Sequence, residues 1–298
     1  MRITFNSLYR DTLRGLNGAS EQLEAAQRQV SSGKRVDRPS DDPSAAAGGL
    51  ANRAELATVQ RYERAADSVY SRLTVADTVL SDIISKLQDA QSTAMSAQGS
   101  TKTTSQREAA AQALEGIRSA IVDDFNTSFN GSFLFAGAKS TAPPYSMASD
   151  GTVAPYAGST TEIEVDINRQ AAVTVVFDGQ SIAKGAASQD VFGVLNDAIA
   201  AARAGDSTGL GTAIDGLKEA FARATAAQSR VGSDMRAIDG EKARLEEMRM
   251  AAQSRVSKLE DANMAEAISG MTRADTAYKA ALGAASAATR VSLLDYLG

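Results

Sequence analysis

The stretch YERAADSVYSRLTVADTVLSDIISKLQDAQSTA, residues 62–94, carries small or apolar side chains at Tyr62, Ala66, Val69, Leu73, Ala76, Leu80, Ile83, Leu87, Ala90 and Ala94. Steps of three and four, kept up without a break, place them on a single stripe of an α-helix. No proline interrupts the pattern, and the helix is predicted over about 44–98. That exceeds an ordinary globular helix, and at 1.5 Å per residue it reaches roughly 80 Å. The centre of the chain therefore reads as a rod.

Upstream, the segment SSGKRVDRPSDDPSAA (31–46) is dense in stop and start signals. Gly33 sits where a left-handed cap would end a preceding helix. Pro39 forbids helix through its neighbourhood, and Asp42 followed by Pro43 reads as an N-cap with proline at the first helical position. Gly33, Pro39, Asp41, Asp42 and Pro43 thus form a predicted inter-helix turn. Before it, a helix over about 6–31 carries Phe5, Tyr9, Thr12, Leu16, Ala19, Leu23, Ala26 and Val30, which alternate steps of four and three. That narrow seam is the pattern of a helix facing one partner helix in a coiled coil.

Downstream, Ser105 and Glu108 have the spacing of a capping box, opening a helix with Ala110, Leu114, Ile117 and Ile121. At Asn130-Gly131 the period changes to alternation. Ile163, Val165 and Ile167, then Val173, Val175 and Phe177, read as two strands, with Asp178-Gly179 as a turn. Helix resumes near Asp190 with Val191, Leu195, Ala198 and Ala202. After Gly205-Asp206-Ser207 a second long helix carries Leu217, Phe221, Ala224, Val231, Met235, Ile238, Leu245 and Met248. The chain closes on another seam of Met264, Ala267, Met271, Ala274, Tyr278, Ala281, Ala285 and Ala288. The fold class is mainly α with a small β insertion, built of long antiparallel helical rods and terminal coiled-coil helices. Its expected domains are residues 1–40 with 259–298 for assembly, 41–130 with 189–258 as rod, and 131–188 as a β-rich outer part.

Composition narrows the function classes. The 298 residues include neither histidine nor cysteine. Imidazole bases, thiolate nucleophiles, disulfides and the usual zinc ligands are absent together, so no cofactor, metal or catalytic residue is expected. The formal net charge of −5, with both signs interspersed, offers no basic stripe for nucleic acid. No apolar run is long enough for membrane insertion, and the first residues lack the apolar core of a cleaved signal peptide. The acid pairs Asp41-Asp42 and Asp123-Asp124 read as helix-start residues. Gly209, Gly211 and Gly216 miss the spacing of a phosphate loop, Asn126 and Asn130 read as turn residues, and the late methionines read as seam fillers.

Three segments carry a family resemblance: 31–46 as quoted, SFNGSFLFAG (128–137), and KLEDANMAEAISGMTRADTAYKAAL (258–282) with the ending LLDYLG (293–298). They resemble the bacterial flagellin superfamily, and within it the junction branch, the type 3 hook-associated proteins. Prolines 39 and 43 in the turn and the run Phe133-Leu134-Phe135-Ala136-Gly137 favour that branch over a short filament flagellin. A cytosolic coiled-coil scaffold is a further alternative. The resemblance implies a tubular assembly joined through the terminal helices, with Phe5, Tyr9, Leu16, Leu23, Val30, Met264, Ile268, Met271, Tyr278, Leu282, Leu293, Leu294 and Leu297 at its interface. Implied partners are the type 1 hook-associated protein, flagellin, copies of the same chain, and an export chaperone at the C-terminal helix. The implied place is outside the cell in the flagellum, reached without a cleaved signal peptide. An alanine-rich seam returns little when buried against one helix, less than ordering the backbone costs. Residues 1–35 and 260–298 are therefore expected to be largely disordered in the free monomer and to fold on assembly.

Overall fold

The computed structural model describes the backbone of residues 5–297 apart from 100–101, 149 and 169–171, and the side chains of 10–287 with the same gaps. In chain order the elements are α1 (Phe5–Ser32), α2 (Pro43–Ala97), α3 (Thr104–Phe125), β1 (Ser128–Phe129), β2 (Ser132–Phe133), β3 (Ile163–Asp166), β4 (Ala172–Val176), α4 (Gly179–Ala183), α5 (Val191–Ala204), α6 (Ser207–Glu260) and α7 (Met264–Leu297). Two compact units result, one of Met1–Val59 with Glu247–Gly298 and one of Gln60–Glu246.

The second unit holds the thick core. From Ala66 to Ala94 every residue of the α2 stripe is buried, and they pack with Leu114 and Ile121 of α3, Leu195 and Ala198 of α5, and Leu217 and Val231 of α6. α2 and α6 run antiparallel here. Lys242 meets Asp67 at 2.6 Å near one end, and the Gln98 amide donates to the Ser207 carbonyl at 3.2 Å near the other. At the end of α3, Phe125 stands at the centre of an aromatic cluster. Its ring meets Phe135, Tyr145 and Phe192 edge-on, at centroid distances of 5.7, 5.3 and 5.9 Å. Burial pushes the Tyr145 hydroxyl far above its ordinary range and that of Tyr156 up to about 12. The Tyr156 hydroxyl is satisfied by donation to a backbone carbonyl.

The β part is smaller than its composition suggests. Asn130 (φ 51°) and Gly131 (φ 78°) make a two-residue left-handed turn between β1 and β2, the backbone such a hairpin demands. β3 and β4 form a separate antiparallel pair. Leu134, Phe135, Ile167, Val175 and Phe177 belong to the same core as the surrounding helices.

Three sequence expectations are corrected. The capping box of α3 is Thr103 with Gln106, each side chain bonded to the other's backbone N–H, and not Ser105 with Glu108, which lie inside the helix. Asp178 opens a helix, not a turn: its carboxylate accepts from the Gln180 N–H at 2.9 Å and caps α4. Asp123-Asp124 falls in the last turn of α3, where the helix dipole disfavours acids. Asp124 is held there by Lys86 at 2.5 Å, yet its carboxyl is pushed above the usual range. Its own burial, with Asp82 and Asp123 nearby, outweighs the lysine.

The first unit has a thin core. Its fully buried apolar residues among those described are Val36, Ala45, Val59, Ala252 and Ala267, with no aromatic ring and no leucine. α1 packs against α7 within this unit. The α1 seam residues Thr12, Leu16, Ala19, Leu23, Ala26 and Val30 are all half-buried, as are Met271, Ala274, Tyr278, Ala281 and Ala285 of α7.

Candidate assembly site

Five parts of the first unit build the site: α1 and α7, the turn after α1, and the adjoining ends of α2 and α6. The turn is made by the residues that the sequence marks. Gly33 takes φ 67°, and its N–H closes α1 on the Gln29 carbonyl at 3.0 Å. A β-carbon in that region of the backbone would be strained, so glycine suits the position. Pro39 lies in an exposed turn behind which Asp41 Oδ2 accepts the N–H groups of Arg38, at 2.8 Å, and Asp37, at 3.2 Å.

Pro43 is the first residue of α2. Asp42 caps that helix, Oδ1 accepting from the Ser44 and Ala45 N–H groups at 3.1 and 3.0 Å and from the Ser44 hydroxyl at 2.8 Å. The Arg38 N–H chiefly holds the Asp41 carboxyl below its usual range, and the Ala45 N–H does the same for Asp42, helped by Ser44 and Arg35.

The turn is then tied to the break between α6 and α7. Arg35 and Val36 both donate their N–H to the Glu260 carbonyl, at 2.6 and 3.3 Å, and Ala262 donates to the Gly33 carbonyl at 2.9 Å. The Arg35 guanidinium also donates to the Leu259 carbonyl at 2.7 Å. Alongside, Arg255 of α6 reaches Asn52 and Glu55 of α2 at 2.7 and 2.6 Å.

The expected interface residues divide into three sets. Leu16, Leu23, Val30, Met271 and Tyr278 are half-buried and lie on the seam positions of the intramolecular α1/α7 pair. Met264, Ile268 and Leu282 point outward, at 41%, 49% and 50% exposure. Ile268 and Leu282 are fourteen residues apart and share one side of α7, beside the seam and not in it. The side chains of Phe5, Tyr9, Leu293, Leu294 and Leu297 lie outside the described residues. Of the late methionines, Met250 and Met264 are exposed, not seam fillers.

Sequence reasoning missed Glu260 with Lys34 and Arg53, and the glycines beside them. The pair Gly48-Gly49, inside a helix that is otherwise alanine-rich, was the available signal of a close approach. Among the described residues no helix is long and apolar enough to cross a membrane, and no cluster of acids is placed to hold a metal ion.

The model of the N-terminal helical region of bacterial flagellin matches residues 3–140, and that of its C-terminal helical region matches 214–297. The flagellar hook-associated protein 3 of Escherichia coli strain K12 is 24% identical over 94% of this chain and 94% of its own. Its namesake from Salmonella typhimurium is 31% identical over 51% of this chain, a match spanning only 48% of that relative. Among solved structures, a flagellar hook-associated protein of Vibrio parahaemolyticus, 17% identical, overlays 74% of this chain and 100% of its own with a TM-score of 0.69. With both helical regions of one family matched in order over most of its length, the chain belongs to the bacterial flagellin family.

Proposed function

We propose that this protein is a structural, non-catalytic part of the flagellum that joins hook to filament, and that its α1/α7 pair is the assembly element. The observation that carries this is the exposed apolar side of α7. Ile268 and Leu282 are half in water, although the helix already spends its seam on α1. Large apolar groups held this way gain by burial against a neighbouring subunit. The relatives named hook-associated protein 3 and the turn with its two prolines support the junction role over that of a filament subunit.

On this reading the neighbours are copies of the same chain, a type 1 hook-associated protein on the hook side and flagellin on the filament side. A chaperone covers α7 before export, and the chain leaves the cell unfolded. The terminal helices order fully only on assembly.

The test is genetic and direct. A strain lacking this protein should build hooks and shed flagellin monomer into the medium. Complementation with the I268D/L282D variant should restore secretion of the protein but not of filaments. Normal filaments in the deletion strain would exclude the junction role, and purified protein that grows into long filaments alone would favour a flagellin.

A further inference from the structure

Glu260 is the last residue of α6, and it is 3% exposed. Among the described residues only Glu260 and Arg118 are charged and buried. A carboxylate at a helix C-terminus faces the negative end of the dipole, so helix electrostatics do not account for it. Its surroundings do. Lys34 Nζ, from the turn, stands 3.7 Å from Oε2, and Arg53 of α2 donates to the same oxygen. Both cations reach in from solvent, with side chains 41% and 50% exposed, while the carboxylate's is 4% exposed.

Room for the carboxylate is made on α2. A β-carbon at Gly49 would collide with Glu260 Oε1, and one at Gly48 would come within 3.2 Å of Leu259 Cδ1. Consecutive glycines weaken a helix interior, and here they lie where the glutamate enters. The same residue works through its backbone, since the Glu260 carbonyl receives the N–H groups of Arg35 and Val36. One residue thus holds the turn after α1, the start of α2 and the end of α6, and α7 begins four residues later.

We infer that Glu260 is the positioning residue of the assembly element: its buried carboxylate, clamped by Lys34 and Arg53, fixes where α1 and α7 depart from α2 and α6. This rests on the assembly role proposed for the pair. A buried carboxylate is tolerated only while it is compensated, so removing both cations should open the clamp. Making residue 260 neutral removes the need for cations. The damage from losing them should therefore be reversed by Glu260→Gln, which a merely space-filling glutamate would not produce.

Amide exchange on the full chain reads this directly, at the N–H groups of Arg35, Val36 and Ala262, with α3 and α5 as internal controls of folding. The K34A/R53A pair should raise exchange at the three sites about tenfold, and K34A/R53A/E260Q should bring it back to near the native rate. Gly49→Ala should raise exchange at the same sites by crowding Oε1, with α3 and α5 unchanged. Unchanged exchange in K34A/R53A, or a further rise on adding E260Q, would overturn the clamp. The deletion strain separates the two claims. Filaments lost there with exchange unchanged in K34A/R53A sinks the clamp alone, and filaments retained there sinks the junction role whatever the exchange.

Discussion

At the scale of single residues, the turn between α1 and α2 depends on two carboxylates doing the work of backbone acceptors. Asp41 takes the Arg38 and Asp37 N–H groups and Asp42 those of Ser44 and Ala45. Both carboxyls titrate below their usual range. A folded-state pKa below the unfolded one adds stability that is present at neutral pH and is lost as pH falls through the folded value. Acid should therefore loosen this turn below about pH 4, seen as faster exchange at the Ser44 and Ala45 amides. Asp42→Asn keeps the cap acceptor without the charge and should blunt that acid response; equal sensitivity in both proteins would show the loss arises elsewhere. Thr103→Ala should cost the second unit about 1 kcal/mol by removing one half of the α3 capping box, measured by denaturant unfolding. Gly33 and Asp42 were legible in the sequence because each acts on its own neighbours in the chain. The α3 cap was read at Ser105 and not at Thr103 because three hydroxyl residues, Thr103, Thr104 and Ser105, compete for one cap. Glu260 was missed for a different reason: the residues that explain it, Lys34, Gly49 and Arg53, lie more than two hundred positions away, and the glycine pair signals a close approach without naming what approaches.

At the scale of elements, the contrast is between stripes that end in a thick core and stripes that do not. Val69, Leu73, Leu80, Ile83 and Leu87 of α2 are buried, whereas no described residue of α1 is, and Ala267 alone is buried among those of α7. Period alone placed all three helices, since periodicity reports which side faces a partner. It says little about how deeply that side is covered, because depth depends on the size of the side chains and on how many helices converge. The β elements were the least legible. β1 and β2 are two residues each, too short for alternation to show, and they hold their place through the shared core around Phe125 and Phe135. The expected consequence is a difference in local stability: amides of α1 and α7 in dilute monomer should exchange far faster than those of α3 and α5. Equal protection would mean that the seam suffices without a neighbouring subunit. Ile268→Asp should leave monomer unfolding within about 0.5 kcal/mol of native, since the side chain is already half in water, while removing filament attachment.

At the scale of the whole molecule, the chain divides into units of unequal means. The unit of Gln60–Glu246 contains the fully buried phenylalanines, the Tyr145 ring and all the tightly packed helical stripes. Among the described residues, the unit of Met1–Val59 with Glu247–Gly298 is held by a half-buried α1/α7 seam, a capped turn and one buried carboxylate. Hydrophobic burial is the dominant favourable term in folding and scales with the apolar area removed from water. The two units should therefore not share a melting temperature, and unfolding should depart from two-state behaviour. Scanning calorimetry with helix content followed in parallel should show an early transition from the thin unit and a later one from the thick unit. Phe125→Ala removes the ring that three others pack against, a loss of about 3–5 kcal/mol for a fully buried aromatic. It should lower the later transition and leave the early one in place. The K34A/R53A pair should do the opposite, lowering the early transition only. A single transition that moves as one in both variants would show that the units unfold together, and that the thin unit draws its stability from the thick one.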